Sequence, residues 1–299
     1  MYAIEVNNLA KSYGRVQALD GVSFAVRRGE LFGLIGPDGA GKTTLFRLLT
    51  TLLLPDGGEA KVDGLDVVKD YLAIRSRVGY MPGRFSLYPD LSVEENLGFF
   101  AALFGVGVEE SYDLVEPIYK QIAPFRTRRA GKLSGGMKQK LALSCALIHR
   151  PSVLFLDEPT TGVDAVSRCE FWDMLAGLKQ RGITILVSTP YMDEASRCDR
   201  IALCNEGHIL GIDTPTGIVG QFRSPLYAIR SRRTFALLEA ARRQQGVVQC
   251  YPFGESHHLV VDDTFDKEQF VRALSDFEDL HIEPATPTIE DVFIKLMKR

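Results

Sequence analysis

Residues 31–49, LFGLIGPDGAGKTTLFRLL, confine what this chain can fold into more tightly than any other stretch. Leu31 to Ile35 form a run short and apolar enough for a buried strand. Gly36, Gly41, Lys42 and Thr43 then match the spacing G-x-x-x-x-G-K-[ST]. Leu45, Leu48, Leu49 and Leu52 recur at helical spacing and predict a helix closed by the turn residues of LPDGGEA. Strand, glycine-rich loop and helix in that order make a phosphate cradle. Glycines let successive backbone N–H groups point at phosphate oxygens, the helix N-terminus adds the positive end of its dipole, and Lys42 adds a point charge. Thr43 offers a hydroxyl to Mg²⁺. The candidate phosphate ligands are therefore Gly36, Pro37, Asp38, Gly39, Ala40, Gly41, Lys42, Thr43 and Thr44.

A second apolar run, VLFLDE, ends in two adjacent carboxylates, and Asp and Glu are rarely buried unless paired or bound to a cation. Beside a phosphate cradle, Asp157 is the expected Mg²⁺ partner, directly or through water. Glu158 is the candidate that polarises or positions an attacking water, which makes it, with Lys42, the candidate catalytic pair. The plainer alternative leaves Asp157 as the N-cap of the turn that follows.

These runs, with GITILVST further on, are continuous apolar segments separated by helical material, the pattern of a parallel sheet covered on both faces. Around the first of them, IEVNNLAKSYG and ALDGVSFAVRRGELFGLIG alternate apolar and polar residues and predict antiparallel strands leading into it. From Ser92 to Leu147 the pattern is mostly helical, and Ser92 with Glu95 has capping-box spacing. The organisation changes between Gly217 and Pro225. Beyond it YAIRS, GVVQCYPF and HHLVVDD predict strands, and RTFALLEAARRQ and KEQFVRALSDF predict amphipathic helices, together a compact α+β unit of about eighty residues. Within that unit Asp262, Asp263, His257 and His258 suggest either a metal site or a solvated turn. The turn is the preferred reading, because no ligand spacing recurs.

Composition narrows the partners. With 45% hydrophobic residues among 299, the chain has the material for a large core. A formal charge of −3 lacks the basic footprint of a nucleic-acid binder, so no nucleic acid is expected. Cysteines 145, 169, 198, 204 and 250 are odd in number and lack C-x-x-C pairing, which fits a reducing compartment. No signal-peptide order opens the chain. The longest apolar run, Leu97 to Val108, falls short of the roughly 20 residues a spanning helix needs. The expectation is a soluble protein whose membrane role comes through a partner.

Between the two site motifs lies LSGGMKQK, Leu133 to Lys140. Ser134 reads as an N-cap, followed by two glycines that leave the backbone accessible and by Met137, Leu141 and Leu143 on a helix. Set between GPDGAGKTT and LFLDEPT, it resembles the signature sequence of the ATP-binding cassette (ABC) family, and the order matches across roughly residues 1–220. The resemblance implies an α/β fold: a P-loop NTPase core of mixed sheet with an antiparallel β subdomain and an inserted helical subdomain over about 84–145. The small α+β C-terminal domain takes residues 221–299. ATP and Mg²⁺ are the implied cofactors. Tyr13 in KSYG takes the place of the aromatic that stacks on adenine, although a Tyr before a glycine turn also suits plain strand packing. TGVD, with Asp164, is similar to the loop that meets the opposite subunit. Sites in that family are composite, so Gly36 to Thr44 of one subunit would face Ser134, Gly135 and Gly136 of another. The implied partners are an integral membrane permease subunit and a second cassette, in a homodimer or heterodimer, at the cytoplasmic face of the inner membrane. The ending TPTIEDVFIKL resembles exporter-type subunits. RFSLYPD, Arg84 to Asp90, takes the place where the family touches its membrane subunit, while Phe85, Leu87 and Tyr88 fit core packing equally well.

Two positions depart from the family. Where a Gln usually follows the strand ending in VGYMP this chain has Gly83, and where a His usually follows VST it has Pro190. Proline has neither a donor side chain nor a backbone N–H, so Pro190 can donate nothing to a phosphate. Tyr191 carries a hydroxyl one residue on, but neighbouring side chains of an extended chain point to opposite faces. Loss of one positioned donor costs on the order of 10²–10³-fold in rate, so slow hydrolysis is expected. Two readings follow. One is an ATPase subunit that powers an exporter, with hydrolysis by Glu158. The other is a regulatory cassette that binds ATP, hydrolyses it slowly and pairs with a more active partner.

Overall fold

The computed structural model describes residues 1–297, and the chain divides into two compact units, Met1–Thr216 and the part from Gly217 onward. The first unit opens with β1 (Tyr2–Tyr13), β2 (Val16–Arg27), β3 (Leu31–Ile35), α1 (Lys42–Leu49), β4 (Gly57–Val62), β5 (Leu65–Asp66), α2 (Tyr71–Arg75) and β6 (Val78–Met81). Then come α3 (Val93–Phe104), α4 (Tyr112–Tyr119), α5 (Gly135–Leu147), β7 (Val153–Asp157), α6 (Ala165–Gln180), β8 (Thr184–Thr189), β9 (Arg200–Asn205) and β10 (His208–Asp213). α7 (Pro215–Gly220) spans the division.

The alternating segments at the start pair as expected into an antiparallel sheet of order β2-β1-β4-β5, burying Ile4, Val6, Leu9 and Phe24. The continuous apolar segments form a second sheet of order β10-β9-β3-β8-β7-β6, parallel except for the edge strand β10. Every residue of β3, β7 and β8 is buried, as strands covered on both faces require. Phe46 of α1 packs edge-on against Phe155 of β7, which sets the helix that follows the glycine loop onto the sheet.

Helices fill the segment between β6 and β7. Ser92 caps α3 with both halves of the capping box: Glu95 N donates to Ser92 Oγ at 3.2 Å, and Ser92 N donates to Glu95 Oε2 at 2.7 Å. The aromatic segment before it divides, with Leu87 buried and Phe85 and Tyr88 exposed. One expectation fails at the end of α1. Leu52 does not continue the helix and is 55% exposed, because Thr51 adopts a positive φ of 62° and the chain reverses there. Leu52 N then donates to Arg47 O at 2.7 Å.

The second unit holds β11 (Leu226–Arg230), α8 (Thr234–Ala241), β12 (Val247–Phe253), β13 (Ser256–Val261), α9 (Lys267–Ala273), β14 (His281–Pro284) and α10 (Ile289–Leu296). Its strands form an antiparallel sheet of order β12-β13-β11-β14. The expected strands and helices are present, and β14 and α10 are additional. The solvated-turn reading of His257 and His258 is overturned: both are buried in β13, at 2% and 5% exposure. His258 Nδ1 lies 2.5 Å from Asp291 Oδ1, which also accepts from the Tyr251 hydroxyl at 2.6 Å. The two aspartates do sit in an exposed turn, where Asp262 accepts from Thr264 N at 2.8 Å. Among the described residues no group of three or more His, Cys, Asp or Glu is placed to hold a metal ion.

Candidate functional site

Strand register brings the sequence motifs to one edge. Ile35 at the end of β3 pairs with Thr189 of β8, and Asp157 at the end of β7 pairs with Ser188. The three strands run parallel, so their C-terminal ends open together, where ligands bind in sheets of this kind. The loop after β3 is held by close backbone approach. A Cβ on Gly36 would lie 2.1 Å from the Cys204 carbonyl oxygen, and one on Gly41, at φ 94°, would lie 2.4 Å from that of Ala18. Lys42 is 4% exposed and curls back over the loop. Its Nζ donates to the carbonyl oxygens of Gly36 at 2.8 Å and Pro37 at 2.9 Å, and lies 3.2 Å from Glu158 Oε1.

Asp157 is 2% exposed, and its Oδ1 accepts from the Ser188 hydroxyl at 2.7 Å. The same hydroxyl accepts from Glu158 N at 3.0 Å, so one serine side chain orients both carboxylate-bearing residues. Asp157 is not the N-cap of the next helix: Asp164 caps α6, accepting from Ser167 N at 2.9 Å, and that bond holds its carboxyl below the usual range. Glu158 has φ 49°, left-handed for a residue with a long side chain, a strain on the order of 1–3 kcal/mol. That turn directs the side chain away from the strand toward Lys42.

Lys42, Thr43, Thr44 and Glu158 line one side of a cleft of about 560 Å³. Tyr13, 45% exposed, stands at its edge, so the ring is not consumed by strand packing. Two neighbours escaped the reading of the sequence. Glu206 also lines the cleft, from the turn between β9 and β10, at φ 46°. The next residue anchors that turn: Gly207 N donates to Ala40 O at 3.3 Å, and Gly207 O accepts from Asp20 N at 3.0 Å. Ser188 is legible only through the β7–β8 register, whereas the Glu-Gly pair at 206–207 is a local turn signal.

Ser134, Gly135 and Gly136 do not line this cleft. Ser134 caps α5, its Oγ accepting from Met137 N at 3.4 Å. The two glycines face the start of α6: a Cβ on Gly136 would lie 2.7 Å from Ser167 Oγ, and one on Gly135 3.4 Å from Gly162 O. At the departing positions, a Cβ on Gly83 would lie 3.0 Å from the Asp157 carbonyl oxygen, which leaves tight quarters for any side chain there. Beyond Pro190, the Tyr191 ring lies under the Arg168 guanidinium, 4.6 Å from it, and so is directed at α6 instead of the cleft.

A family model described as ABC transporter matches residues 19–161. The probable multidrug ABC transporter ATP-binding protein YbhF of Escherichia coli (strain K12) is 43% identical over 223 residues, 73% of this chain. The match spans only 38% of that relative's own length. The daunorubicin resistance ATP-binding protein DrrA2 of Streptomyces coeruleorubidus is 36% identical over 307 residues, covering 99% of this chain and 95% of its own. A solved dimeric structure of the ATP-binding cassette MJ0796, in a post-hydrolysis state with ADP and Pi, matches with a TM-score of 0.64. It is 25% identical over 71% of this chain and 98% of that one.

Proposed function

Because the chain belongs to the ABC transporter family, as an ATP-binding subunit, we propose that it binds and hydrolyses ATP to power an exporter, closing on a second cassette to do so. One observation carries the composite reading. Asp38, Gly39 and Gly41 to Thr44 of the phosphate-binding half line the cleft, whereas Ser134 to Gly136 line none of it and Gly136 faces the start of α6. A second copy or a second cassette brings its own signature residues to the open side.

The geometry gives each residue a task. Loop amides and the α1 N-terminus receive the phosphates, and Lys42 exchanges the Gly36 and Pro37 carbonyls for phosphate oxygens. That exchange also breaks the Lys42–Glu158 pair and frees Glu158 to hold and orient the attacking water, taking its proton. Tyr13 offers a stacking face for the base. Thr43 and Asp157 supply hard oxygen donors, and a carboxylate 2% exposed with one serine partner fits a cation neighbour. The residues therefore fit Mg²⁺, which when bound neutralises charge on the β- and γ-phosphates.

Export is supported by the relatives' names, which speak of multidrug transport and daunorubicin resistance. Among the described residues no helix is long and apolar enough to cross a membrane. The transport reading sets the chain at the cytoplasmic face of the inner membrane, beside an integral membrane permease. The Pro190 segment favours a second reading, a slow regulatory cassette, because neither proline nor the Tyr191 ring brings a donor to the cleft.

The deciding measurement is Mg-ATP hydrolysis by the purified chain and by Glu158→Gln, with ATP affinity measured on both. Hydrolysis that depends on Glu158 supports the first reading. Binding without hydrolysis supports the second, and absence of binding sinks both.

A further inference from the structure

Glu194 is 4% exposed, in the 3-10 turn Met192–Arg197 that follows β8. Its Oε2 accepts from the Thr189 hydroxyl at 2.5 Å and from the Thr160 hydroxyl at 3.1 Å. Its Oε1 lies 3.2 Å from Arg168 Nε, an ion pair. These three partners belong to three different segments around the site. Thr189 ends β8, and its carbonyl accepts from Gly36 N at 3.3 Å. Thr160 stands two residues after Glu158. Arg168 lies in the first turn of α6, beside the Ser167 that faces Gly136, and its guanidinium covers the Tyr191 ring.

A buried carboxylate is costly unless its lone pairs are well matched, and removing one partner leaves that cost uncompensated. The network is therefore stiff: Thr189 and Thr160 share one acceptor oxygen and Arg168 supplies the counter-charge at the other, so the three hold their positions relative to one another or lose their common partner. We infer that Glu194 is a positioning residue for hydrolysis. It ties the Thr189–Tyr191 segment to the backbone that carries Glu158 and to α6, so that a shift at the phosphate end of the cleft is passed to the helix beneath the signature glycines. With no donor at Pro190, the segment contributes the placement of its neighbours, and Glu194 fixes that placement. The inference rests on the ATPase reading above.

The chain supplies its own reporter. Trp172, the single tryptophan, is 4% exposed and lines a pocket of about 330 Å³ together with Arg168 and Glu194. The test uses the purified full chain and Glu194→Gln, which keeps the shape and removes the charge facing Arg168. ATP affinity, kcat, KM and Trp172 fluorescence with and without Mg-ATP are measured on both. The unaltered chain should show a nucleotide-dependent Trp172 signal. Glu194→Gln should lose that signal and lower kcat about 10- to 100-fold, with ATP affinity and KM within about threefold of the unaltered chain. If Glu194→Gln does not fold, Thr189→Val should reproduce the loss and Thr189→Ser, which keeps the hydroxyl, should restore it.

An unaltered chain whose Trp172 signal ignores Mg-ATP overturns the inference, as does a variant that keeps both signal and kcat, or one that loses kcat together with ATP binding. If the unaltered chain binds ATP without hydrolysing it, the Trp172 signal alone decides. If it binds no ATP, the proposed function falls first, and this inference with it.

Discussion

The Ser188 hydroxyl donates to Asp157 Oδ1 at 2.7 Å, and it is the side-chain contact that links the ends of β7 and β8. Both residues are buried, at 0% and 2% exposure, so the carboxylate relies on this donor when no cation is bound. Ser188→Ala should cost about 1–3 kcal/mol, the range for a buried acceptor left without its partner. The deficit should shrink when Mg-ATP is added, because a cation then shares the charge. Urea unfolding of both proteins with and without Mg-ATP checks this. An equal deficit in both conditions would mean that Asp157 has no part in cation binding.

How much of this was legible in the sequence follows from how local each signal is. The Gly36–Thr44 loop and the Asp157–Glu158 pair are written in consecutive residues, and the burial of β3, β7 and β8 follows from their unbroken apolar runs. Ser188 acquires its partner only through strand register, 31 residues away from Asp157. His257 and His258 escape the sequence for the same reason: polar residues beside two aspartates look solvated until the Thr234 carbonyl, 23 residues before His257, and Asp291, 33 residues beyond His258, meet them. Leu52 continued the helical period but lay beyond a left-handed Thr51, a backbone choice that apolar spacing does not encode.

The glycines of the phosphate loop should differ sharply in what they tolerate. A Cβ on Gly36 meets the Cys204 carbonyl at 2.1 Å, and backbone cannot step aside, whereas one on Gly39 meets nothing within 4 Å. Gly39→Ala carries only the strain of φ 83°, about 1 kcal/mol. Gly36→Ala should lose several kcal/mol and its nucleotide binding. Thermal melts with ATP titration would contradict the account if Gly39→Ala proved the worse of the two.

Acid should release the clamp in the second unit. Burial works to raise the Asp291 pKa, but hydrogen bonds from Tyr251, His258 and Thr288 outweigh it and hold the carboxyl below its ordinary 3.8. A folded value below the unfolded one stabilises the protein above the unfolded pKa, and that contribution fades as pH falls through the folded value. Asp291→Asn should therefore be clearly less stable than the unaltered chain near neutrality, and the gap should narrow as pH drops below about 4. Urea midpoints at stepped pH measure it. A gap independent of pH would assign the loss to packing alone.

Pro190→His tests whether the missing donor limits the rate. The backbone around residue 190 is already fixed on both sides: Thr189 O accepts from Gly36 N at 3.3 Å, and Tyr191 N donates to Thr189 Oγ1 at 3.1 Å. The substitution therefore adds a side-chain donor and a backbone N–H without removing a hydrogen bond that proline made. Donors aimed at developing charge are worth on the order of 10²–10³-fold in rate, and a newly placed imidazole that recovers part of this should raise kcat about tenfold or more. ATP affinity should move by less than about threefold, since Lys42 and the loop amides carry ground-state binding. Single-turnover hydrolysis on Pro190→His, with Glu158→Gln added as a second change, separates the cases. A rate gain that vanishes with Glu158→Gln places the new donor in the same reaction that Glu158 serves. No gain at all means that a missing donor at residue 190 does not set the pace of this site.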